Sequence, residues 1–338
     1  MRLIPVGRKN KYDPFGDTIV FVDSIGISPL TDRAYDIGYI NSSYACIVSP
    51  EQRYNTIDIS DVNDLLHEAY LSEPNVSQCT FIEMVGSYAF CSGSKTVTGD
   101  KFTVFNNDNP IAPTADATLI IPNNKRFRVA PSGNVGILAS SDGIIRSIDV
   151  STPSAMFEIS SLAIPEAYAV DISADGNTAF IGTVDEANLI EERIYSVDIS
   201  NPVAMVILDT LQAPLLKKIS DLRVSGNVLY GCSRGNNSVF SIDISNISAM
   251  AHLDVHADAI KLIQANSIVL SDNHDVAAVC GYGDGYVSTI DISDPSNISV
   301  KAYNNHSFID QVYGLILEGN YVFAGGRIAV VSLDISGV

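Results

Sequence analysis

A five-residue motif recurs along nearly the whole chain: Ser or Thr, an aliphatic residue, Asp, Ile or Val, then Ser. It reads TIDIS at 56–60, SIDVS at 147–151, SVDIS at 196–200, SIDIS at 241–245, TIDIS at 289–293 and SLDIS at 332–336. A degenerate copy, TVFNN, occupies 103–107. The leading residues are Thr56, Thr103, Ser147, Ser196, Ser241, Thr289 and Ser332, and their spacings are 47, 44, 49, 45, 48 and 43. A supersecondary unit of that length cannot bury its apolar face alone, so its copies must stack on one another.

Other marks keep step with the motif. Gly133-Asn134, Gly176-Asn177, Gly226-Asn227 and Gly319-Asn320 precede four of the copies, with Gly86-Ser87 as a variant. Gly and Asn accept positive φ, so each pair reads as a tight hairpin between two strands. A turn follows the motif, often with proline, as in Asn109-Pro110, Thr152-Pro153, Asn201-Pro202 and Asp294-Pro295. One more strand comes after it. In the fourth period the four strands are AYAVDIS, TAFIG, RIYSVDIS and AMVILDTL.

Seven periods of four strands predict an all-β fold, a seven-bladed β-propeller with the first strand of each blade innermost. Blades pack face to face, which explains the constant aliphatic residue at Ile57, Val104, Ile148, Val197, Ile242, Ile290 and Leu333. The small Ser or Thr before it suits a crowded face and can hydrogen-bond along it. No outermost strand follows the seventh motif. The run TIVFVDSI at 18–25 is expected to complete that blade and close the ring. The chain then divides into an N-terminal basic arm, 1–17, and a propeller, 18–338. The arm holds Arg2, Arg8, Lys9 and Lys11 with no acid before Asp13, and reads as a device for docking a partner or a larger assembly.

Composition narrows the function classes. The formal net charge is −19, which repels phosphate and sets nucleic acid and anionic membranes aside as partners. No apolar run approaches the roughly 18 residues of a membrane helix. The basic first residues are followed by no apolar signal stretch, so the expected location is the cytoplasm or a signal-free destination such as a virus particle or a cell surface. Five cysteines without a CxxC pair argue against a disulfide framework or a zinc site, and no cofactor or metal is expected.

Four groups of residues are candidates for chemistry. Asp58, Asp149, Asp198, Asp243, Asp291 and Asp334 form a ring, one per blade, too dispersed for calcium sites. Each is expected to cap its following turn, with Phe105 marking a blade that manages without one. His252 and His256 have helical metal spacing but fall on an outermost strand, where they lie too far apart to share an ion. Counting back five residues from the hairpin glycine places Asp171, Asp221 and Arg128 on inner strands, where they could converge on the central channel as catalytic groups. The fourth group lies on one rim of the disc: Arg33, Tyr54, Lys125, Arg126, Lys217, Lys218, Arg234, His256, Tyr282, Tyr286, His306 and Asp310. Exposed Tyr and Arg are common at recognition surfaces.

The motif run resembles the LVIVD-repeat propellers. The segments VSGNVLYGC…VFSIDISN at 224–246 and LEGNYVFAGG…VVSLDIS at 317–336 carry the likeness, which extends over nearly the whole chain after residue 18. The resemblance implies the propeller fold. It names no catalytic residues, and members of that family are mostly surface or exported proteins without an assigned role. The expected function is therefore a non-catalytic interaction module that binds a protein or glycan on its rim, such as an accessory or host-attachment protein. The alternative is a propeller hydrolase or lyase acting in the channel.

Overall fold

The computed structural model describes residues 20–26, 34–49, 53–72, 79–94, 99–186, 192–212, 216–283, 285–305, 311–327 and 329–338. It shows seven four-stranded antiparallel sheets. The inner strands of blades 1 to 7 are Asp36–Asn41, Phe81–Val85, Asn124–Val129, Ala167–Ile172, Ile219–Ser225, Ala265–Leu270 and Gly314–Glu318. In blade 7 the order runs inward from Val20–Gly26 through Ala329–Asp334 and Tyr321–Gly325 to Gly314–Glu318. The N-terminal strand pairs antiparallel with the last one, from Val20 opposite Asp334 to Gly26 opposite Ala329. The basic arm, with Arg2, Arg8, Lys9 and Lys11, lies outside the described residues, as do Arg33, His306 and Asp310. No helix among the described residues is long and apolar enough to cross a membrane.

The core lies in the seams between blades. One cluster, with Ile137, Val170, Ile181 and Val197, fills the seam of blades 3 and 4. Another, with Ala34, Ile37, Phe323 and Val330, joins blade 7 to blade 1. The repeating aliphatic residue sits in these seams, fully buried at Ile148, Val197, Ile242, Ile290 and Leu333.

The repeating hydroxyl does more than fit the crowded face. Thr56 donates to the Pro110 carbonyl, Ser147 to Pro202, Ser196 to Ile247, Ser241 to Pro295 and Ser332 to Val62, at 2.5–2.8 Å. Every acceptor lies in the turn after the third strand of the next blade. The motif therefore latches each of these blades to its neighbour, and Ser332 latches blade 7 to blade 1. Asp209 and Asp254 add a second tie from their outer strands by accepting the amides of Met250 and Ile298 in the next blade.

The motif aspartates act as turn caps. Asp58, Asp149, Asp198, Asp243, Asp291 and Asp334 each accept the amide of the Ser two residues on, at 2.8–3.1 Å. Blade 2 corrects the sequence alignment by one residue. Asn106, not Phe105, pairs with Tyr88 as Asp58 pairs with Tyr44, and Asn106 accepts the Asp108 amide. Phe105 is then the buried seam residue, and Val104 stands where other blades carry the latching hydroxyl. His252 and His256 lie on the outer strand Ala251–Ala257, and no cluster of three metal-binding side chains occurs among the described residues.

Candidate functional site: the channel and the upper mouth

The face onto which the loops lead before each inner strand is called upper here; the Gly-Asn hairpins mark the lower one. Side chains two apart on each inner strand point into the channel, so they form rows. One row holds Asp36, Arg126 and Asp221. The row below it holds Glu83, Arg128, Asp171 and Arg223. This placement corrects the sequence reading, which put Arg128, Asp171 and Asp221 in one row. Asp171 pairs with Phe180 and Arg128 with Ile137, while Asp221 pairs with Cys232. The hairpins of blades 3 and 4 are longer than that of blade 5, so equal counting from their glycines reaches different levels.

The two rows form one ionic network. Asp221 is fully buried and meets Arg223 Nη1 at 2.7 Å, Arg126 Nε at 3.4 Å and Arg128 Nη2 at 3.8 Å. Its other oxygen accepts the Ile268 amide and the Ser267 hydroxyl, both at 3.1 Å. Arg128 also reaches Glu83 at 2.8 Å and Asp171 at 3.5 Å. Carboxylates here tie consecutive inner strands together: Asp36 accepts the Ile82 amide, Glu83 that of Val129 and Asp171 that of Val224. Arg126 spans the channel from blade 3 to donate to the carbonyls of Ser220 in blade 5 and Asn266 in blade 6. Its guanidinium lies 4.6 Å from the Phe81 ring centroid.

Burial and charge act in opposite directions on these groups. Burial raises Asp221, but the three guanidiniums outweigh it and hold the carboxyl below its ordinary value. Burial dominates at Asp36 and raises it to about 6, despite Arg126 and two backbone amides. Burial likewise raises Glu83 and Asp171. It also raises the thiols of Cys46 and Cys232 to about 12, so these are unreactive small core residues; all five cysteines are buried and free. A cavity of about 420 Å³ runs from the network towards the lower face. Asp36, Glu83, Arg128 and Arg223 line it, with Tyr39, Met84, Leu270 and Leu317 as apolar walls; Asp171 and Asp221 do not line it.

The upper mouth is built differently. Tyr313 is edge-on to both Tyr35 and Tyr282, at 5.0 and 5.1 Å. Across the mouth, Tyr168 packs edge-on to Phe81 and lies under Lys125 and Arg234, at 5.9 and 5.6 Å. Glu186 ties Lys218 and Arg234 together with 2.6 Å ion pairs. Behind it, buried Glu192 accepts the amides of Asp185 and Lys218. Lys218, Gln264 and Gln311 hold left-handed backbone at φ 59°, 50° and 51° in the loops leading into blades 5, 6 and 7, as Asn123 and Glu166 do before blades 3 and 4. Such strain costs on the order of 1 kcal/mol per residue and gathers at functional surfaces.

The rim residues read from the sequence thus fall into three groups. Lys125, Lys217, Lys218, Arg234 and Tyr282 gather at the upper mouth. Tyr286 and His256 belong to the disc edge, Tyr286 packing on Tyr303 of an outer strand. Tyr54 and Arg126 are corrections. Tyr54 is buried, stacked on Phe105 at 4.2 Å with its hydroxyl on Asn107, and Arg126 is sunk in the channel network. The count from the hairpin glycine did place Phe81 on an inner strand, but sequence reasoning missed Tyr35, Tyr168 and Tyr313. Their only common signal is a place at the start of an inner strand, one that the motif period could have located.

Comparison with known proteins shows the fold. No protein-family model matches the chain. No curated protein matches it either. Among solved structures, a functionally unknown protein from Desulfotomaculum acetoxidans is 14% identical over 84% of this chain and 92% of its own, with TM-score 0.65. The β-propeller domain of Cps50 (Swd1) from Myceliophteria thermophila is 11% identical over 94% and 99%, with TM-score 0.72. A candidate 6-phosphogluconolactonase from Bacteroides fragilis is 10% identical over 83% and 86%, with TM-score 0.68. The chain is a seven-bladed β-propeller.

Proposed function

We propose that this propeller is a non-catalytic recognition module that engages a protein or glycan partner through its upper mouth. The observation that carries the reading is the arc of Tyr35, Tyr282 and Tyr168, backed by the buried Tyr313 ring, with Lys125 and Arg234. Tyrosine offers large, amphipathic contact area at low conformational cost, and Arg234 is already held in place by Glu186. The alternative, hydrolysis or elimination in the channel, would need Asp171 and Asp221 free to reach substrate. Asp221 is instead engaged by three guanidiniums, and neither acid lines the cavity. The likeness to the LVIVD-repeat propellers, a place on a virus particle or cell surface, and docking through Arg2, Arg8, Lys9 and Lys11 belong to the same proposal.

A pull-down from the native source tests it with four baits: full-length protein, a version lacking residues 1–17, a Tyr282→Ala/Lys217→Glu variant and a lower-face His274→Ala control. The expected result is a partner captured by full-length protein and the control but lost with the double variant. Capture unchanged by the double variant would refute recognition at the upper mouth. Loss on truncation alone would assign docking to the arm.

A further inference from the structure

We propose that the upper-face groove where blades 4, 5 and 6 meet binds an anionic saccharide, a chain of sugars bearing carboxylates. This rests on the recognition reading above and names the ligand class for it. The groove has a volume of about 640 Å³, within the roughly 300–1,000 Å³ of small-molecule sites. Its lining supplies Lys217, Lys218 and Arg234 against the single carboxylate of Glu186, in a chain of net charge −19. Lys218 and Arg234 are fixed by Glu186, whereas Lys217 is exposed and has no acid partner among the described residues. The net charge of −19 repels anions at long range, so the groove acts at short range, where Lys217, Lys218 and Arg234 outnumber the one lining carboxylate.

The remaining lining points to sugar rather than peptide. Tyr282 is 37% exposed and leans on Tyr313, which leaves ring surface for the C–H face of a pyranose. Asn237 uses its carbonyl oxygen to accept the Gln264 amide. Among the described residues its amide nitrogen and the Gln264 side chain have no hydrogen bond. These amides offer paired donors and acceptors to sugar hydroxyls, and Glu186 adds an acceptor. A peptide hot spot needs a desolvated pocket for an aliphatic or aromatic anchor, and no aliphatic side chain lines this groove.

Titration calorimetry on the full chain tests the assignment, with trigalacturonate, sialyllactose, a sulfated disaccharide, neutral maltotriose and a tri-glutamate peptide as probes. Saturable binding of one of the carboxylated sugars is expected, with neutral sugar and peptide at least tenfold weaker. Lys217→Gln and Tyr282→Ala should each weaken it tenfold or more, while outer-strand Lys301→Gln should not. Both altered residues are exposed, so the fold is kept, and an unchanged melting temperature checks this. Equal binding of tri-glutamate, preference for the sulfated probe, no saturation with either carboxylated sugar, or indifference to both variants would overturn the assignment. If saccharides fail while the native-source capture still depends on the upper mouth, the ligand class falls and the recognition reading stands.

Discussion

Asp221→Asn is the sharpest test of the view that the channel carboxylates are structural. One Asp221 oxygen faces Arg223, Arg126 and Arg128; the other faces the Ile268 amide and the Ser267 hydroxyl. An asparagine must turn its NH2 towards one of these two sets, so a donor meets donors in either orientation. The guanidiniums also lose a negative charge in a fully buried place. Breaking a buried pair in this way costs roughly 3–5 kcal/mol. The unfolding entropy of a chain this long is about 0.7 kcal/mol/K, so the melting temperature should fall by about 4–7 °C. One response softens the loss. Asp36 titrates at about 6, so at pH 8 it is ionised and repelled by Asp221, a repulsion the variant removes, whereas at pH 5 it is largely protonated and gains little. The lower end of the range is therefore expected at pH 8 and the upper end at pH 5. Calorimetric melts at both pH values read this, with partner capture measured in parallel. A melting temperature within 1 °C of the parent would refute the structural reading. An unchanged melt together with lost function would return Asp221 to the catalytic candidates.

Asp36→Asn mimics the protonated acid. The folded carboxyl titrates at about 6 against 3.8 unfolded, so its favourable contribution is complete below 3.8 and lost as pH rises through 6. The variant's stability relative to the parent should therefore improve between pH 4.5 and 8, by on the order of 3 kcal/mol at most; a pH-independent difference would refute the shift. Ser241→Ala and Ser332→Ala each remove a latch between blades and should cost about 1 kcal/mol in urea unfolding, while Thr103→Ala in blade 2, whose hydroxyl meets Thr118 of its own blade, should cost less. Gly314→Ala would set a Cβ 2.7 Å from Asp36 Cα, and overpacking of this kind costs about 1–3 kcal/mol or more; a neutral melt would show that the blade 7–blade 1 seam can open. Deleting residues 18–25 removes the strand that pairs with Ala329–Asp334 and should lower the melting temperature sharply, whereas an unchanged value would rule out closure.

Much of the fold was legible because the motif marks the third strand of each blade and the Gly-Asn hairpin marks the turn between the first two. Six of the motif aspartates cap turns as their spacing implied. Phe105 misled because Asn106 can accept the same turn amide as an aspartate, which moves the frame by one. The candidate site was harder to read. A count from the hairpin glycine assumes one hairpin length, and the longer turns of blades 3 and 4 moved Asp171 and Arg128 a row away from Asp221. Tyr54 and Arg126 looked like rim residues by position, but one turns into a seam and the other across the channel. Neither direction follows from strand order. Tyr168 and Tyr313 were invisible for the opposite reason: an aromatic at the start of an inner strand reads as core until the mouth is seen.

The two halves of the site place different demands on the ring. Each blade has little core of its own, so the seams, latches and channel ion pairs must hold the blades in register. The network does this across distance, since Arg126 alone joins blade 3 to carbonyls of blades 5 and 6. The upper groove is built by blades 4, 5 and 6 together: Glu186 comes from blade 4, Arg234 from blade 5 and Tyr282 from blade 6. A loosened seam would therefore spread the groove before it unfolded the chain. Substitutions in the network should weaken binding only together with the melting temperature, whereas Lys217 and Tyr282 should change binding alone. That separation distinguishes residues that hold the surface from residues that are the surface.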